Sequence, residues 1–121
     1  MNLVVLSGSP REVSVTVRVA QYLTDHLQKE TDHNVKLLDV RENPLPMIQK
    51  VWQKVEDAPS SYQDLAKTVF EADAFILVTP EYNGSYSPAM KNLLDHFPKQ
   101  ARKPFGIVTA SPGMMGGMRA S

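Results

Sequence analysis

Ala74-Phe75-Ile76-Leu77-Val78-Thr79-Pro80-Glu81-Tyr82-Asn83-Gly84-Ser85 passes in one step from an unbroken apolar run to a loop of proline, glycine and hydrogen-bonding side chains. Five apolar residues in succession, without polar alternation, are the pattern of a strand covered on both faces, as in a parallel sheet. This is the clearest buried strand of the chain. Pro80 restricts its exit, and Gly84 permits backbone geometry that a side chain would forbid. Downstream, residues 87–97 take a helical period with Met90, Leu93, Leu94 and Phe97 inward. Pro88 falls in the first turn, where a missing amide costs nothing. Residues 104–109 then form a further strand, followed by Ser111-Pro112-Gly113-Met114-Met115-Gly116-Gly117 and the start of another helix.

Upstream the same alternation repeats. Residues 3–6 are wholly apolar and stop at Ser7-Gly8, after which Gly8-Ser9-Pro10-Arg11 opens a loop. From Ser14 onward Val15, Val19, Leu23 and Leu27, with Val13 and Ala20, make a helical stripe. Residues 35–40 are the next strand, ended by Pro44-Leu45-Pro46. The spacing of residues 48–55, around Trp52, predicts a turn or two of helix. Residues 62–71 predict a longer one with Leu65, Val69 and Phe70 facing inward. Strand, helix, strand, helices, strand, helix and strand in this order, joined by right-handed crossovers, predict an α/β fold. Its parallel sheet carries helices on both faces in one domain, 1–121. Every β-to-α loop then lies on the carboxyl edge of the sheet, where ligands of such folds sit.

Thirteen basic and thirteen acidic residues among 121 cancel, so no global field draws the chain to nucleic acid or to a lipid surface. There is no cysteine, which removes disulfides, thiolate nucleophiles and thiolate metal sites together. His26, His33 and His96 lie far apart without metal-site spacing, and no metal is expected. The apolar start breaks too early for a signal peptide or a membrane span, and a soluble cytoplasmic protein is the expectation. Ser121 falls in the opening turns of a helix, so the domain is expected to be C-terminally incomplete, lacking a last strand and helix. The fourth strand would then show an apolar edge.

Three of the loops carry the chemistry. Ser9, Arg11, Ser14 and Thr16 surround the start of the first helix, whose unpaired amides favour an anion, while Arg11 can neutralise it. The loop matches neither Gly-x-Gly-x-x-Gly nor a Walker sequence, which favours a terminal monophosphate over a dinucleotide or triphosphate. Pro80, Glu81, Tyr82, Asn83 and Gly84 offer backbone groups and a flat ring to something planar. Ser111, Gly113, Gly116 and Gly117 supply an opposing wall that backbone can bring close, with methionines as soft contacts. Plainer readings stand beside these: Ser14 as a helix cap, Pro10 as a turn former, Tyr82 as loop packing and Asn83-Gly84 as an ordinary turn. Glu81 is read as holding loop geometry, and no side chain is assigned a catalytic role.

On these residues the chain resembles the NADPH-dependent FMN reductase family, whose members have a flavodoxin-like fold and include quinone, azo-dye and chromate reductases. The family pattern Gly-Ser-x-Arg-x-x-Ser is met by Gly8, Ser9, Arg11 and Ser14. Pro-Glu-Tyr-Asn-Gly-Ser followed by Lys-Asn-x-x-Asp is met by 80–85 and by Lys91, Asn92 and Asp95. Ser-x-Gly-x-x-Gly-Gly leading into Arg-Ala is met by Ser111, Gly113, Gly116, Gly117, Arg119 and Ala120. The resemblance implies a flavodoxin-like three-layer sandwich. FMN would be bound non-covalently, its phosphate at Ser9, Arg11, Ser14 and Thr16 and its ring against 80–83 and 111–117. NADPH or NADH would pass hydride to flavin N5, and a small acceptor would take it in a ping-pong sequence. A homodimer or homotetramer that shares the ring pocket is also implied. Thr16 departs from the asparagine usual in the family, and members usually run further at the C-terminus. An FMN-binding electron carrier and a truncated relative without activity remain the alternatives.

Overall fold

Val4, Val5 and Leu6 are almost completely buried, and the fold is laid around them. A computed structural model describes residues 1–12, 14–82 and 85–110. Their strand, β1 (Asn2–Ser7), is followed by α1 (Val15–Glu30), β2 (Asn34–Asp39), α2 (Gln63–Glu71), β3 (Ala74–Pro80), α3 (Pro88–Asp95) and β4 (Phe105–Ala110). The four strands form one sheet in the order β2-β1-β3-β4. All neighbours are parallel, with Leu3 opposite Val35 on one side and Ala74 on the other.

The two faces are filled by different elements. Val5, Val35 and Val78 point to one face and meet Ala20, with Val19, Leu23 and Leu27 around it, so α1 covers that side. Val4, Leu6 and Leu38 point to the other and pack with Leu65, Ala66 and Val69 of α2 and Met90 and Leu93 of α3. The step from β1 to β2 runs one way across the sheet with its helix on the first face. Both later steps run the opposite way with their helices on the second, as right-handed crossovers require. The result is a three-layer α/β sandwich of flavodoxin-like topology.

Three sequence expectations are corrected. The inward stripe of α1 is rotated: Thr16, Ala20 and Thr24 are buried while Val15 is 57% exposed. Small residues four apart let the helix approach the sheet, and Thr24 Oγ1 satisfies itself on Ala20 O at 2.8 Å. Residues 48–54 form no helix; only a short 3-10 turn follows at Val55–Asp57. There Trp52 is buried against His96, Phe97 and Tyr62, with ring centroids 4.8, 5.5 and 6.2 Å away. Its amide donates to His96 O at 2.7 Å. Tertiary anchoring of a single aromatic has overridden a locally helical spacing. Finally, β1 rather than β3 is the most buried strand. Phe75, Ile76 and Leu77 are only half-buried, because β3 lies beside β4, whose Phe105 and Ile107 are 65% and 37% exposed. An apolar hollow of about 210 Å³ opens there between α3 and β4, lined by Leu77, Tyr86, Met90 and Leu94 as well as those two residues.

Candidate functional site

The sheet brings the ends of β1, β3 and β4 side by side. Ser7 is opposite Val78, and Pro80 is opposite Ala110. With neighbouring strands about 4.8 Å apart, the three exits span about 10 Å of one edge. The loop that starts at Gly8 and the loop that starts at Pro80 are therefore neighbours.

In the first loop Ser9 is buried, and its Oγ accepts from the Arg11 amide at 3.3 Å. The Arg11 side chain is exposed. Ser14 is the N-cap of α1, accepting from Val17 N at 3.4 Å, so the plainer reading of this serine holds. Its hydroxyl proton is still available to donate. Thr16 is buried in the first turn. Beneath the loop, Ser7 Oγ has no hydrogen-bond partner, alone in this among buried side-chain atoms of the described residues. Strand alternation points Ser7 to the same face as Val5, towards α1.

In the second loop Pro80, Glu81 and Tyr82 are half-buried. Tyr82 and Ser85 close a small antiparallel bridge, with Tyr82 N donating to Ser85 O at 2.7 Å and Ser85 N to Tyr82 O at 3.0 Å. The Tyr82 amide is thus engaged within its own loop, which leaves its ring as the surface on offer. Asn83, Gly84, Ser111, Gly113, Gly116 and Gly117 lie outside the described residues.

Sequence reasoning missed what joins the two loops. Gly8 N donates to Val78 O at 2.8 Å. Ser87, fully buried, donates its hydroxyl to Gly8 O and accepts the Met90 amide at 3.2 Å as the N-cap of α3. Ser87 N in turn donates to Thr79 Oγ1 at 3.4 Å, and Thr79 Oγ1 donates to Pro80 O at 2.9 Å. Gly8 has no room for a side chain: a Cβ there would lie 2.6 Å from Met90 Cε and 3.2 Å from Val78 O. The one sequence signal for this seam was the Ser87-Pro88 pair, a cap residue followed by a first-turn proline.

The motif residues on α3 serve structure. Lys91 Nζ bonds both Asp95 carboxylate oxygens at 2.6 and 2.7 Å, and that bond holds the ammonium above its usual pKa. Asn92 Nδ2 donates to Leu45 O and Pro46 O at 3.2 and 3.0 Å, while its Oδ1 accepts Ile48 N at 2.9 Å. It pins the excursion after β2 to the helix that begins at the site.

A wholly parallel sheet with this loop edge is the frame in which the sequence profile of the NADPH-dependent FMN reductase family matches residues 1–121. The chain belongs to that family. An FMN-dependent NADPH-azoreductase of Staphylococcus aureus is 33% identical over 119 residues, which cover 95% of this chain and 63% of that protein. Among solved structures, FerB, a flavoenzyme NAD(P)H:(acceptor) oxidoreductase from Paracoccus denitrificans, superposes with a TM-score of 0.73 at 25% identity, covering 98% of this chain and 65% of that one. An NADH:FMN oxidoreductase (EMOB) in its apo form gives 0.76 at 22% identity over 95% and 60%. The chain thus spans a little under two thirds of the length of these relatives. Among the described residues, no helix is long and apolar enough to cross a membrane.

Proposed function

We propose that this chain is the FMN-holding part of an NAD(P)H-dependent flavin oxidoreductase that serves a small-molecule acceptor. One observation carries the reading. The loop starting at Gly8 and the loop starting at Pro80 leave adjacent central strands and are hydrogen-bonded to one another through Ser87 and Val78, in a chain that fits the family profile throughout. The curated and solved relatives named above share a nicotinamide donor in their names and differ in acceptor.

The donor set suits a flavin monophosphate. The N-terminus of α1 supplies amides and the positive end of a helix dipole, Ser9 and Ser14 supply hydroxyls, Thr16 stands in the same turn, and exposed Arg11 is free to fold over a phosphate. Pro80, Glu81, Tyr82, Asn83 and Gly84 would lie along the ring, with Ser111, Gly113, Gly116 and Gly117 opposite. FMN, when bound, supplies the hydride chemistry between NADPH or NADH and the acceptor. The protein's tasks are to bind and orient, to keep water from the ring, and to leave one ring face open. No side chain here is required to move a proton, and half-buried Glu81 serves the loop.

A second copy of the chain is proposed as the partner, in a homodimer or homotetramer. Met47, 74% exposed, borders an open groove of about 390 Å³ with Ile48, Pro88 and Ala89, beside the Lys91 and Asp95 pair. An apolar groove of this kind next to a surface pair of opposite charges suits self-association about a two-fold axis. The test of the whole reading is a visible spectrum of the purified chain with added FMN, then with NADPH under exclusion of oxygen. Retained yellow colour that bleaches on NADPH is expected. A chain that stays colourless after FMN and desalting refutes the reading.

A further inference from the structure

Among the described residues, Ser87 makes the side-chain-to-backbone link between the two loops, yet no family motif quoted above includes it. Its hydroxyl has two partners of opposite kind: it accepts from Met90 N at 3.2 Å and donates to Gly8 O. Gly8 is therefore held from both sides, its N–H by Val78 O at 2.8 Å and its C=O by Ser87. The described residues contain no cis peptide bond. In a trans peptide the carbonyl and the following N–H point in opposite directions. Fixing Gly8 O towards α3 therefore turns the Ser9 N–H away from α3, to the side where the loop runs on to the start of α1. Hydroxyls that both donate and accept strengthen each other along the chain from Met90 N through Ser87 to Gly8 O.

We propose that Ser87 is a positioning residue that aims the Ser9 amide at the flavin phosphate and so gives the site its preference for FMN over riboflavin. The proposal rests on the flavin reading above and adds a residue to it. Ser87 itself touches neither the phosphate nor the ring; it acts through the Gly8–Ser9 peptide. Loss of its donor leaves the peptide plane free to rotate, and the phosphate then loses one aligned amide.

The test compares dissociation constants of FMN and riboflavin, read by quenching of flavin fluorescence, in the unaltered chain and in Ser87→Ala and Ser87→Gly. Losing one hydrogen bond to a charged group is expected to weaken FMN about tenfold or more in both variants, with riboflavin nearly unchanged. Ser87→Thr, which keeps the hydroxyl, is expected to restore part of the preference. Glycine is a far better N-cap than alanine, so Ser87→Gly melts closer to the unaltered chain. A loss of FMN preference that follows melting temperature instead of the missing hydroxyl overturns the proposal, and so does an equal loss for both flavins. If Ser87→Ala does not fold, Ser87→Gly carries the comparison. If the unaltered chain binds neither flavin, the functional reading fails. Amide hydrogen exchange at Ser9 and Arg11 then decides: faster exchange in Ser87→Gly supports the positioning role, and unchanged exchange overturns it.

Discussion

Replacing Gly8 by alanine tests the seam under the proposed phosphate loop. The new methyl would stand 2.6 Å from Met90 Cε, 3.2 Å from Met90 Cβ and 3.2 Å from Val78 O. The nearest atom ends a flexible side chain, but Met90 is 2% exposed and has little space into which to swing. Neither Val78 O nor Met90 Cβ can retreat without moving β3 or α3. Overpacking of this kind costs about 1–3 kcal/mol, and the mixture of one movable and two fixed neighbours puts Gly8→Ala near 2 kcal/mol. For a chain of this size that is a fall in melting temperature of roughly 6–12 °C. Urea unfolding would measure it as a lower midpoint at unchanged slope. Met90→Leu removes the nearest atom at nearly constant volume, so the double variant is expected to lose at least about 0.5 kcal/mol less than the sum of the single losses. A Gly8→Ala chain as stable as its parent, or strict additivity with Met90→Leu, would refute the close-approach argument.

Asn92→Ala removes three hydrogen bonds to Leu45, Pro46 and Ile48; a loss of about 2–3 kcal/mol in urea unfolding is expected, and a loss below about 0.5 kcal/mol contradicts the pinning role. Lys103 donates to Val69 O and Phe70 O at the end of α2, and burial pulls its pKa below 10.5 against a smaller pull upward from Asp73. Since the folded chain sheds this proton before the unfolded one, its contribution to stability rises as pH climbs through the lowered value towards 10.5. The midpoint of the unaltered chain relative to Lys103→Met should therefore increase across that alkaline range, and a flat or falling difference refutes the assignment. Ile107→Lys on exposed β4 is expected to leave the unfolding midpoint within about 0.5 kcal/mol while reducing light scattering at high concentration; a large drop in the midpoint would mean that the face is covered.

What the sequence made legible follows the range of the interactions involved. Residues 3–6 and 74–78 announce strands through unbroken apolar runs, while 35–40, with Lys36 and Asp39, and 104–109, with Gly106, still read as strands between turn-forming residues, a signal written locally, residue by residue. The four strands, the three main helices and the shared loop edge were readable for that reason. The seam was not: the bond from Ser87 to Gly8 joins residues 79 positions apart, and no local period encodes such a pairing. Trp52 misled in the same manner, since a pattern of apolar residues three and four apart fits a helix until one ring is fixed by His96 and Phe97. In the candidate site, the placement of Ser9, Arg11 and Ser14 ahead of α1 was legible from their order before a helix, whereas the bridge that occupies the Tyr82 amide depends on how the loop closes at Ser85.

The place of β1 at the interior of the sheet has a consequence for synthesis. Its partner on one side ends at Asp39, but its partner on the other begins only at Ala74. A growing chain leaving the ribosome can pair the first two strands early, yet half of the first strand's backbone waits for residues made much later. Until then Val4, Val5 and Leu6 have no completed layer to enter. Such distant parallel pairing slows folding and prolongs the exposure of sticky surface, so expression in cells should respond strongly to temperature and to the supply of chaperones.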